Sequence, residues 1–102
     1  MIIELNANFA QTEKNIFIEL GYGDVDINLF VDSKKLFYSN VRNGAVHNEL
    51  IKNPNRMIKI GGLYLLELKD ELGEWYMGDK NKDDCYYFWA NYGDLKTAIE
   101  GL

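Results

Sequence analysis

Apolar residues recur at every second position through much of this chain, and that period constrains its fold more than any other feature. From Ile3 to Phe9 the odd positions are apolar (Ile3, Leu5, Ala7, Phe9), with Glu4, Asn6 and Asn8 between them. Val25, Ile27, Leu29 and Val31 alternate in the same way with Asp26, Asn28 and Phe30. Successive side chains of a strand point to opposite faces, so this period marks half-buried strands. Ile16, Ile18 and Leu20 follow the polar break Gln11 to Asn15 and are read as another strand. Gly21-Tyr22-Gly23-Asp24 is a turn signal. Asp32-Ser33-Lys34-Lys35 is expected to be a four-residue hairpin connection into a strand from Leu36 to Val41.

Val46 and Leu50, and His47 and Ile51, are four apart, which predicts a short helix over 45–52, stopped by Pro54. Strand character returns over Met57 to Ile60, Leu63 to Lys69, Glu74 to Gly78 and Cys85 to Tyr92. Gly61-Gly62 reads as a bulge or tight turn, Asp70 to Gly73 as a turn and Asp79 to Asp84 as a charged hairpin loop. Asp94 is placed to cap a C-terminal helix that carries Leu95, Ala98, Ile99 and Leu102 on one face. No linker or repeat interrupts the pattern. The expected architecture is a single α+β domain over residues 1–102: a mostly antiparallel β-sheet with one or two short helices, one of them C-terminal.

Several function classes are disfavoured. No stretch approaches the roughly 20 apolar residues of a membrane helix, and the segment Met1 to Asn6 lacks the basic head and apolar run of a signal peptide. The single cysteine, Cys85, cannot form an internal disulfide, so a cytoplasmic protein is expected. The net charge of −5 opposes direct binding to nucleic acid or to anionic membranes. Nucleophilic catalysis needs a nucleophile beside a base. Cys85 and His47 are the only thiol and imidazole, and no spacing joins them. Cys85, at the head of an aromatic strand, is expected to be a buried, inert thiol. A zinc site lacks ligands, and Asp79 to Asp84 lacks the glycine and closing glutamate of a calcium loop. Gly21-Tyr22-Gly23 is a fragment of a phosphate-binding fingerprint, followed by Asp24 and Asp26, which would repel phosphate. No catalytic residue, metal or cofactor is expected.

What remains is a surface. Residues 67 to 84 carry Glu67, Asp70, Glu71, Glu74, Asp79, Asp83 and Asp84 against Lys69, Lys80 and Lys82. Residues 75 to 92 carry Trp75, Tyr76, Tyr86, Tyr87, Phe88, Trp89 and Tyr92, half of all the aromatics. Simple alternation puts Tyr87 and Trp89 on one face of the last strand and Tyr86, Phe88 and Tyr92 on the other. A sheet with one wet face should show rings on one side only. Either a helix, the C-terminal one, covers the second face, or some of Trp75, Tyr76, Tyr86 and Trp89 lie exposed among carboxylates. The second arrangement suits a protein interface, where Trp and Tyr dominate binding energy.

Glu74-Trp75-Tyr76-Met77-Gly78-Asp79, then Tyr86-Tyr87-Phe88-Trp89-Ala90-Asn91-Tyr92-Gly93-Asp94-Leu95 and Lys96 to Leu102, resemble the tail of small bacterial immunity proteins. These are the antidotes of polymorphic toxin and contact-dependent growth inhibition systems, and many end in an aromatic strand followed by a short helix. The resemblance covers residues 74 to 102. It implies a non-catalytic protein that binds and neutralises a cognate toxin domain, commonly a nuclease, one to one. Nuclease clefts are basic because they hold phosphates, and an acidic protein can occupy such a cleft. On that reading the partner-binding residues are Asp24, Asp26, Asp70, Glu71, Glu74, Tyr76, Asp79, Asp83 and Asp84. The alternative is a small adaptor or self-associating assembly protein, since an aromatic sheet face also supports a homodimer.

Overall fold

A computed structural model describes residues 1–5 and 8–102. The elements are β1 (Ile2–Glu4), α1 (Gln11–Glu19), β2 (Val25–Asp26), β3 (Phe30–Asp32), a 3-10 turn (Ser33–Lys35), β4 (Leu36–Arg42), β5 (Ala45–Leu50), β6 (Pro54–Ile60), β7 (Leu63–Leu68), β8 (Trp75–Lys80), β9 (Tyr86–Tyr92) and α2 (Leu95–Glu100). Seven strands form one sheet in the order β2-β6-β7-β8-β9-β4-β5, and β1 pairs with β3 in a small second sheet. Every pairing is antiparallel except β4 with β9. The fold is the expected α+β class with a short C-terminal helix. Among the described residues no helix is long and apolar enough to cross a membrane.

The middle of the large sheet, β6 to β8, is covered on both faces, so it has two cores. On one face Phe17 of α1 and Leu95, Ala98 and Ile99 of α2 pack with Phe9, Ile58, Ile60, Leu65, Trp75 and Met77. On the other, Leu5 and Val31 bring the small sheet against Leu36, Ile51, Met57, Tyr64, Leu66, Leu68 and Phe88. This explains why rings occur on both faces of β9. Trp75 and Phe88 are fully buried in opposite cores.

Four local expectations are corrected. The segment read as a strand around Ile16 to Leu20 is the second half of α1. Its inward residues Ile16, Phe17 and Leu20 follow the three-and-four spacing of a helix face, while Ile18 is 71% exposed. The expected strand from Val25 to Val31 is two strands in different sheets, because the Asn28 amide donates to Asp26 Oδ1 (3.0 Å) and turns the chain between them. Asp32 to Lys35 is not a hairpin connection. Asp32 Oδ1 accepts from the Lys34 amide (3.0 Å) and caps the 3-10 turn that hands the chain from the small sheet to the large one. The expected helix over 45–52 is β5, paired to β4 from Arg42↔Ala45 to Phe37↔Leu50. Asn43 (φ 52°) and Gly44 (φ 76°) make the two-residue turn whose positive φ angles match strand twist. Part of the first expected strand, Asn6 and Ala7, lies outside the described residues; β1 covers only Ile2–Glu4.

The remaining expectations hold closely: β6, β7, β8, β9 and α2 fall where the sequence places them, with the Asp94 carboxylate capping α2 through the Thr97 amide (2.7 Å). Gly61-Gly62 is a tight turn.

Candidate protein-binding surface

β9 contains a bulge that simple alternation does not anticipate. Gly78 pairs with Phe88 and Met77 with Ala90, so Trp89 is the extra residue. Beyond it the side-chain parity reverses: Phe88 belongs to the core under the small sheet, whereas Ala90 and Tyr92 pack toward the helices. Tyr92 is therefore on the face opposite to Tyr86 and Phe88. The parallel ladder with β4 ends at Tyr38↔Phe88, just before the bulge, and Trp89 is left 52% exposed. Past that point β4 and β5 pair only with each other, and residues 40 to 50 are all exposed.

The helices do not reach this end of the sheet. The helix-side core takes no residue from β4 or β5 among the described residues. On that bare face, Asp79, Tyr87, Phe37 and Leu50 stand directly opposite one another across β8, β9, β4 and β5. The Tyr87 and Phe37 rings stack (centroids 5.6 Å). Val41 and Val46, a second opposed pair on the same face, are 73% and 64% exposed. Asp83 closes the lower border: its Oδ1 accepts from the Cys85 amide (2.9 Å) and its Oδ2 from the Tyr87 hydroxyl (2.9 Å). The bond to the Cys85 amide, then the one from Tyr87, hold the Asp83 carboxyl below its ordinary range. The same tyrosine–carboxylate bond pushes the Tyr87 hydroxyl up to about 12. Asp84 pairs with Lys80 (3.3 Å). The Asp83 carboxylate is thus ionised at neutral pH and held in place by both bonds.

The residues singled out from the sequence fall into three groups. Asp79, Asp83 and Asp84 border the bare face. Asp24 and Asp26 are exposed beside an open cleft of about 800 Å³ that Tyr22, Lys59 and Gly61 also line. They share the end of the sheet with Asp79 and the loop that follows β8, because β6 and β8 run the same way. They are three strand spacings away, about 14 Å. Asp70, Glu71 and Glu74 sit in the β7–β8 turn at the other end, about 20 Å along β7. Tyr76 is half-buried on the face of the small sheet, donates to Glu71 Oε2 (2.8 Å) and meets Tyr38 edge-on (5.3 Å). Burial, then the bond to Glu71, raise its hydroxyl well above the tyrosine range. It serves the turn before it serves a surface. Phe37, Val41, Val46 and Leu50 were not singled out; the Asn43-Gly44 hairpin signal would have found them.

Cys85 is half-exposed in the loop before β9, not buried within a strand. His47 lies on exposed β5 opposite Asn40, about 16 Å along β4 from the level of Cys85. Among the described residues no three His, Cys, Asp or Glu side chains converge as metal ligands would. No protein-family model matches the chain, and neither curated proteins nor solved structures include a significant match to it.

Proposed function

We propose that this protein is a cytoplasmic, non-catalytic antidote that binds a bacterial toxin domain, a nuclease, in a one-to-one complex. The observation that carries the reading is the row Asp79, Tyr87, Phe37 and Leu50 on a sheet face that the helices leave bare, bordered by Asp83 and Asp84. Rigid rings that retain a polar tip are efficient interface anchors, and ordered carboxylates beside them suit a cleft built to hold phosphates. The net charge of −5 would speed encounter with such a basic partner. The likeness of residues 74 to 102 to immunity proteins supports the same reading, since that segment contains β8, the acidic loop, β9 and α2. Asp24 and Asp26, and the turn carrying Asp70, Glu71 and Glu74, would extend the contact only for a partner that wraps around a sheet end.

The test is co-expression with the C-terminal domain encoded by the gene immediately upstream. A tight one-to-one complex together with rescue of growth is expected. A domain that is not toxic, or whose toxicity this protein leaves untouched, would remove the reading.

A further inference from the structure

We infer that β5 pairs antiparallel with β5 of a second copy, joining two seven-stranded sheets edge to edge. The two edges of the sheet are unlike. β2 is two residues long, ends in Asp26 and is preceded by Asp24, the short, charged kind of edge that resists pairing. β5 is six residues long, fully exposed, and contains no proline, lysine or bulge over Ala45–Leu50. Edges that must stay unpaired carry such features.

The main chain of β5 selects one register. The two-residue turn makes Arg42↔Ala45 a hydrogen-bonded pair. Alternation then turns the N–H and C=O of Ala45, His47 and Glu49 toward β4, and the Ile51 amide continues the series by donating to Leu36 O (2.8 Å). Val46, Asn48 and Leu50 therefore present their N–H and C=O outward. A two-fold axis perpendicular to the sheet through Asn48 opposes Asn48 to itself, Val46 to Leu50 of the second copy, and His47 to Glu49 of the second copy. In that register every outward N–H donates to an outward carbonyl. It also opposes like with like in polarity: two apolar pairs, an amide pair on the axis, and two imidazole–carboxylate pairs. Shifting by two residues toward the turn opposes Glu49 to Ala45 and leaves Leu50 without a mate. Because Val46 and Leu50 share the face of Val41 and Phe37, the pairing extends the apolar rows of the two copies into one surface. The dissimilar β2 edge closes the assembly at a dimer. This inference does not depend on the toxin reading.

The test is sedimentation velocity of the whole protein from about 1 µM to about 500 µM. The mass should rise from 11.8 kDa toward twice that value. Asn48→Pro removes an outward N–H that no intramolecular bond uses, and Val46→Lys charges the edge. Each should weaken the dimer at least tenfold with an unchanged far-UV spectrum. Asn48→Ala keeps the N–H and should stay within about threefold of the parent. A parent that is monomeric throughout, or an Asn48→Pro variant that dimerises as tightly as the parent, overturns the inference. So does a monomeric parent whose complex with the upstream toxin domain Asn48→Pro abolishes, since the edge would then take a strand of the toxin.

Discussion

Glu67 is buried to 1% exposure yet keeps its charge. Burial alone would raise its carboxyl, but bonds from Arg56, the Gly73 amide and Asn55 outweigh that and hold it below the usual range. Arg56 reaches Glu67 with Nε (2.7 Å) and Nη2 (2.8 Å), reaches Glu13 of α1 with Nη1 (3.0 Å), and lies over the rings of Phe9 and Trp75. One guanidinium thus ties α1, β6 and β7 together, and Glu67 in turn accepts from the Gly73 amide of the β7–β8 turn (2.9 Å). Breaking a buried pair leaves an uncompensated charge, so Glu67→Gln should cost about 3 kcal/mol at pH 7 in urea denaturation. The folded carboxyl titrates below the unfolded one, so its contribution is complete above the unfolded value of about 4.3 and is lost as pH falls through the folded value. The gap between parent and variant should therefore narrow toward pH 3. An equal gap at both pH values would show that the charge is not what matters. Gly78 is fixed by a different constraint: a Cβ there would overlap the Tyr87 carbonyl and stand 2.8 Å from Phe88 Cα. Gly78→Ala should cost about 2 kcal/mol and alter the near-ultraviolet signal of Trp89, because the bulge must open.

Between elements, legibility followed the number of cues that agreed. Over β6 to β9 the strand period, the glycine turns and the charged loops all pointed the same way, and α2 had a cap and an apolar face; these were read correctly. Two elements were misread because each pattern fits both periods over a short window. Ile16, Ile18 and Leu20 alternate, but Ile16, Phe17 and Leu20 also make a helix face, and packing of Phe17 against Phe9 (5.4 Å, edge-on) decides between them. Val46 and Leu50 look helical by spacing, but on β5 residues four apart also share a face. There the Asn43-Gly44 turn was the deciding cue. Bulges and crossovers leave little trace in alternation, so neither the reversal at Trp89 nor the parallel β4–β9 contact was legible. The same topology predicts uneven stability. Amides of β6, β7 and β8, covered on both faces, should exchange near the global unfolding rate, while those of the β4–β5 ribbon beyond Tyr38 should exchange faster by about a hundredfold or more. Uniform protection across the sheet would show that the ribbon is held by more than its own pairing.

For the whole molecule, the sequence named the charge and the rings but could not say which of them meet. The acidic run from residue 67 to 84 reads as one patch along the chain, but β7 and β8 carry its halves to opposite ends of the sheet, and Glu67 and Glu71 are occupied internally. Only the Asp79, Asp83 and Asp84 portion lies beside exposed aromatic surface. This division separates two kinds of contribution to binding a basic partner. Reversing all three aspartates to lysine should slow association, weaken the complex and flatten its dependence on ionic strength, since steering by surface charge acts through the association rate and is screened by salt. Reversing Asp70 and Glu74 instead should change the salt dependence far less, because that turn is about 20 Å along the strands from the row of Asp79, Tyr87 and Phe37. Phe37→Ala should act the other way, accelerating dissociation by about tenfold or more with the salt dependence intact. Binding kinetics on the toxin complex at low and high salt distinguish these outcomes. Equal effects from the two acidic groups would mean that the partner senses net charge and not this face.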